Sequence, residues 1–277
     1  MKYEQIKEKW ISMQKKEGLG KYFFKTLFSI LTLLKWLLIS SLIGLFVGAV
    51  GSLFGRTLLW ANDFRKQNPW IILALPIAGL LIVFLYRFFK NTNDKGTNMV
   101  IASIHSSKDI PFKMAPLIFI STVLTHLCGG SSGREGAAIQ LGGSICNALG
   151  KKIKLNENDQ HIIIMCGMSA GFAALFGTPM AAAIFALEVI SIGIMHYSAL
   201  VPCVTAAMIA RFVAEGFGIH PERFPVDEIP AIEPVNFFKL VLFGALIGGI
   251  SILFCIILHT AEHLYKKYCS NFRNNFY

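Results

Sequence analysis

Charge is scarce in this chain, and negative charge scarcest: 16 acidic residues stand against 26 basic ones, and together they make 15% of the 277 residues. With 54% hydrophobic residues and a mean hydropathy of +0.57, so little charge excludes a disordered chain and an ordinary soluble core. The six cysteines, at 128, 146, 166, 203, 255 and 269, form no C-x-x-C pair. Five lie in apolar segments, where Cys packs as a small hydrophobe, so neither a metal centre nor a disulfide is expected. A phosphate loop of the form G-x-x-x-x-G-K-S/T is missing, and no Ser/His/Asp set has a supporting context. ATP-driven pumping by this chain is therefore not expected, and nothing points to an enzyme or a cofactor. Low-complexity linkers and a soluble domain are missing too.

What the chain does have is long uncharged runs. Residues 36–55 and 67–86 are each 20 residues without a charge, and 160–187, 189–210 and 240–261 are uncharged as well. About 20 apolar residues span a bilayer as a helix, so the expected fold class is an all-α, polytopic membrane protein. The net charge of +10 is not a nucleic-acid signal, because of where it sits. Eight lysines precede residue 36, which predicts a cytoplasmic N-terminus. Residues 216–234 carry Glu222, Asp227, Glu228 and Glu233 against Arg223, which suits the outer face. Lys266, Lys267 and Arg273 return the other end to the inside. Tyr3, Ile6, Trp10 and Met13 share one helical face, which fits a helix lying at the membrane interface or a frayed tail. The predicted organisation is a cytoplasmic amphipathic segment (1–32), a first membrane unit (33–216), an acidic external loop (217–234) and a last helix with a basic end (235–277).

The spans are not uniform. Helices are expected at 33–59 and 70–89, then a polar break at 90–98 and a segment, 99–106, too short to cross. Another short helix, 116–127, ends at Gly129-Gly130-Ser131-Ser132-Gly133-Arg134-Glu135-Gly136-Ala137-Ala138. That stretch sets an arginine and a glutamate between uncharged runs, and ionisable groups at membrane depth are costly and usually functional. The run 136–150 would be about 22 Å long as a helix, short of the ~30 Å hydrocarbon core. It reads as a half-helix over 136–149, with Glu135 at its mouth. Gly177-Thr178-Pro179 divides a further apolar region into helices at 162–176 and 180–194, and 198–216 and 235–265 follow. Short helices around glycine-rich breaks mark a transporter-type site near the midplane. Their N-terminal N–H groups and dipole ends can replace part of an anion's hydration shell.

Three motifs then carry a resemblance. Gly133-Arg134-Glu135-Gly136-Ala137 resembles the G-(K/R)-E-G-P motif of CLC chloride channels and anion–proton antiporters. Gly96-Thr97-Asn98-Met99-Val100 takes the place of that family's G-S-G-I-P, and Phe176-Gly177-Thr178-Pro179-Met180-Ala181 is similar to its F-N-A-P-L-A joint, with Glu188 following. The resemblance covers about residue 33 to the end. It implies transport of a halide, chloride or fluoride, as a channel or an anion/proton antiporter. It also implies a homodimer in which each subunit has its own pore built from two inverted repeats. Glu135 corresponds to the gating glutamate, whose carboxylate contests the anion's site and takes a proton when displaced. Burial disfavours a carboxylate and a helix N-terminus favours it, so both protonation states are accessible. Gly96, Thr97, Asn98, Met99, Gly133, Arg134, Gly136 and Ala137 are the anion-binding candidates. Thr97 supplies a hydroxyl or an N-cap, Asn98 an amide donor or a turn, and Arg134 electrostatic focusing or a headgroup contact. Glu188 is either part of a proton path or the wet end of its helix. His126 could relay protons, but a packing role is favoured, as for Phe172, Phe176 and Phe185.

The departures are informative. Ala137 and Val100 replace prolines, Asn98 replaces a glycine, and Val189 sits where proton-coupled chloride exchangers carry a relay glutamate. That combination resembles the fluoride-exporting branch. The first repeat and the opening helix of the second are represented, but the second repeat's own half-helix is not. Two expectations follow: a shortened form of a halide transporter, or a half-length membrane protein that needs a partner chain or does not transport.

Overall fold

The uncharged run that begins at Trp36 is the middle of a much longer helix. A computed structural model describes residues 19–91, 96–106, 110–189, 196–221 and 233–274. In it α1 runs Leu19–Gln67, 49 residues, straight through Lys35 and Arg56. Lysine is a good helix former, so the charge does not interrupt the helix, and the Lys35 ammonium is paired 2.8 Å from Asp159. No break therefore falls between residues 32 and 33. The proposed interfacial helix of residues 1–18 lies outside the described residues, as does most of the acidic loop.

The second span is not continuous. A 3-10 turn, Pro69–Ala74, leads into α2, Leu75–Phe88. Pro76 has no N–H to bond the carbonyl of Ile72, so the α-helical ladder starts only there. Next come α3 (Thr97–Ser106), α4 (Met114–Leu127), α5 (Glu135–Lys152), α6 (Glu157–Phe176), α7 (Pro179–Glu188) and α8 (Leu200–Gly216). The half-helix expected over 136–149 is longer than that: α5 has 18 residues, about 27 Å. It carries on through buried Gly150, and Lys151 and Lys152 sit in its last turn, where cations suit the helix dipole. It still falls short of a full crossing. Five segments are long and apolar enough to span a membrane, while Met114–Leu127 and Pro179–Glu188 are shorter apolar helices. Multi-pass insertion with interrupted helices is thus the architecture.

Helix α6 is the hub. Its residues from Ile162 to Leu175 are almost all buried, and it packs on α1, α5, α7 and α8. Asn156 caps its start by accepting from the Asp159 N–H at 2.8 Å. Gly177, at φ +69°, ends it in the left-handed conformation that glycine adopts without strain, and Pro179 opens α7. The approach of α5 to α6 is close enough to need glycine on both sides. A Cβ on Gly142 would fall inside the carbonyl group of Gly167, and a Cβ on Gly171 would lie 2.6 Å from the Ala138 oxygen. Small residues are how helices approach in lipid, where no hydrophobic drive joins them. Because the obstacle is backbone, Gly142→Ala should force α5 and α6 apart. We expect about 1–3 kcal/mol of destabilisation, read as a lowered thermal midpoint in detergent.

Residues 233–274 form a separate unit, the single helix α9 (Pro234–Asn274). Residues 237–260 of it are exposed on every side, an all-round apolar surface suited to lipid or to other helices.

Candidate functional site

Residues 128–134 form a non-helical break, as the glycines there predict. Gly129 turns the chain at φ +80°, and the Gly130 N–H returns to the Thr125 carbonyl at 2.8 Å. Glu135 is the first residue of α5, and no side chain caps this end. The first backbone bond of the helix runs from the Ala138 N–H to the Arg134 carbonyl, 3.0 Å. The N–H groups of Glu135, Gly136 and Ala137 thus precede the ladder and face outward along its axis.

Helix α3 begins the same way. Gly96, at φ +61°, turns into Thr97, and the Met99 N–H reaches back to the Gly96 carbonyl at 3.0 Å. The two starts meet. A Cβ on Gly136 would lie only 2.7 Å from Thr97 Oγ1, so glycine at 136 is what lets the hydroxyl sit against the mouth of α5. One turn further on, Gln140 Nε2 donates to Thr97 Oγ1 at 3.4 Å. Val100 packs where α5 has Gly143, which keeps the helices in register. Two motifs about 40 residues apart therefore form one cradle of backbone N–H groups and a hydroxyl.

Not every candidate joins it. Gly96, Thr97, Gly136 and buried Ala137 do. Asn98 is exposed, and Met99 packs its side chain on the core. Gly133 is exposed in the break, and the Glu135 carboxylate folds back over it, with Oε2 2.9 Å from where a Gly133 Cβ would stand. Glu135 is itself exposed, so the burial expected from the sequence to oppose the helix N-terminus is not present at this carboxylate. Glu188 is the exposed last residue of α7, a ten-residue helix about 15 Å long, and stands at the far end from the Gly177-Thr178-Pro179 joint.

Arg134 places its guanidinium 5.8 Å from the centre of the Phe176 ring, a cation–π contact. Phe176 in turn packs on Phe172 at 4.5 Å, and Phe172 on Phe185 at 5.4 Å. His126 Nδ1 lies 2.9 Å from the Thr122 carbonyl one turn back in its own helix. Cys203 Sγ donates to Cys166 Sγ at 4.0 Å, linking α8 to α6.

Two further residues belong to this region although no motif contains them. Arg211 of α8 pairs with Glu215 and puts Nη1 against Gly177, so a second guanidinium flanks the corner that Arg134 covers. Among the described residues Nη1 has no hydrogen-bond partner. Gln140 is 94% buried, and its Oε1 likewise lacks a partner. A polar side chain one turn into an uncharged helix was the available signal for Gln140; for Arg211 there was none beyond its charge.

With this geometry in view, the comparisons with known proteins are specific. The voltage-gated chloride channel family matches residues 78–276. A chloride/fluoride channel protein of Pseudomonas syringae pv. tomato is 38% identical over 84% of this chain and 52% of its own length. An H+/Cl− exchange transporter of Vibrio cholerae is 24% identical over 91% of this chain and 56% of its own. The chain thus spans about half the length of the curated relatives it matches. Among solved structures, a CLC-type fluoride/proton antiporter superposes with a TM-score of 0.78 at 34% identity, covering 91% of this chain and 61% of that one. A slow cyanobacterial Cl−/H+ antiporter, 20% identical with a TM-score of 0.66, shares the fold. The motifs, the broken helices and the superposition agree, and the chain belongs to the CLC family of voltage-gated chloride channels and their antiporter relatives.

Proposed function

We propose that this protein moves a halide across a membrane, with the anion held where α3 and α5 begin and Glu135 acting as gate. One observation carries the reading: the Thr97 hydroxyl sits against Gly136 at an uncapped helix N-terminus. Backbone N–H groups, a positive dipole end and a hydroxyl together suit a small anion. The carboxylate of Glu135 is attached to the same turn, so it can enter the cradle when the halide leaves and swing over Gly133 when the halide binds. A proton taken up in the displaced position would couple the two fluxes. Arg134 gives the entrance a positive charge that concentrates anions, while Arg211 beside it is balanced by Glu215. Glu188, at the other end of α7, is the candidate inner proton residue.

Fluoride fits better than chloride. The relatives whose names include fluoride are 38% and 34% identical, against 24% for the chloride exchanger. The N-terminal lysines favour a cytoplasmic N-terminus, and a homodimer is the assembly this family resemblance suggests. The test is flux. Full-length protein in liposomes, with a proton ionophore present, should release fluoride faster than chloride and faster than empty vesicles. Release of neither ion above the empty-vesicle rate would overturn the proposal.

A further inference from the structure

We infer that Gln140 is a positioning residue for halide binding: its carboxamide fixes the Thr97 hydroxyl as a donor toward the anion. The inference rests on the anion site proposed above and adds a residue that no motif contains. Gln140 follows Gly136 by four positions, so it lies one turn below it on the same face of α5. Its Nε2 is 3.4 Å from Thr97 Oγ1, 3.8 Å from a Cβ placed on Gly136 and 3.7 Å from one placed on Gly96. The amide therefore closes the floor of the cradle between the two helix starts.

A hydroxyl has one proton and two lone pairs. With one lone pair occupied by Gln140 Nε2, Thr97 cannot turn its proton inward, because a donor already stands there. The proton is directed away from the floor, toward the mouth that Gly136 leaves open. Among the described residues it has no other acceptor. An anion in the mouth would provide one. The opposite face of the amide supports the same assignment. Among the described residues Oε1 is buried without a partner, and a buried carbonyl oxygen without a donor is unfavourable in a merely structural amide.

The test is a double-mutant cycle on halide affinity, read by calorimetric titration of fluoride into detergent-solubilised full-length protein. Gln140→Met keeps length and apolar volume but removes the donor, and Thr97→Val removes the hydroxyl while keeping its shape. Each alone should weaken fluoride binding roughly 10-fold, the scale of one hydrogen bond to a charged group. Because Gln140 acts through Thr97, the double variant should be no weaker than Thr97→Val alone. If Gln140→Met binds fluoride like the wild type, or if the two single effects simply add, the inference is wrong. Should Gln140→Met not fold, comparing Gln140→Leu, another uncharged side chain without a donor, with and without Thr97→Val decides the same question. Absence of fluoride binding by the wild type would instead count against the proposed anion site itself.

Discussion

Liposomes carrying Glu135→Gln should pass halide without moving protons. Glutamine keeps the size of the side chain and its place at the first position of α5, but it can neither take up a proton nor present a negative charge to the cradle. A halide gradient should then drive no measurable alkalinisation or acidification, while halide release in the presence of ionophore persists. Glu135 is exposed and makes its close approach to Gly133 at the surface of the break. The substitution therefore leaves the packing of α5 on α6 untouched, and the thermal midpoint should not move. Proton flux that tracks halide flux as in the wild type would remove Glu135 from the gate.

Gly136→Val should have the second large effect, and a different one. A side chain at 136 must occupy space within 2.7 Å of Thr97 Oγ1, so it fills the mouth and displaces the hydroxyl. The loss of at least one hydrogen bond to a charged group predicts roughly 10–100-fold slower halide release. The obstacle is a side-chain hydroxyl and not backbone, so the fold should yield locally and survive, unlike Gly142→Ala, where backbone meets backbone. Gly79→Ala is the control, because nothing lies within 4 Å of a Cβ there. It should leave flux unchanged.

The membrane fold was legible because lipid imposes strict demands on sequence. Uncharged 20-residue runs, the glycine break before Glu135 and the proline joint at Pro179 each leave a local mark, and each appears in place. Helix ends were less legible. The first helix was expected to start at residue 33 but begins by Leu19, and Lys35 within it pairs with Asp159, 124 positions away. Gly150 reads as a stop but is buried within α5. Both differences come from tertiary partners that no local window contains.

The site divides in the same way. The motif glycines and Thr97 stand out in sequence because their chemistry is local: a turn, a free N–H, a hydroxyl. That Thr97 meets Gly136 depends on α3 packing on α5, which periodicity does not encode. Gln140 and Arg211 draw their significance from such packing alone. Asn98 points the other way: a candidate donor in sequence, it is exposed in the structure.

Competition between a carboxylate and a halide for one cradle underlies the proposed mechanism, and fluoride affinity measured against pH tests it most directly. As pH falls and Glu135 takes up its proton, the neutral side chain gives up the site, so wild-type affinity should rise. Glu135→Gln should bind at least as tightly as the wild type at every pH and show no such dependence. Wild-type affinity that is flat with pH, or a Glu135→Gln profile that runs parallel to it, would contradict the competition.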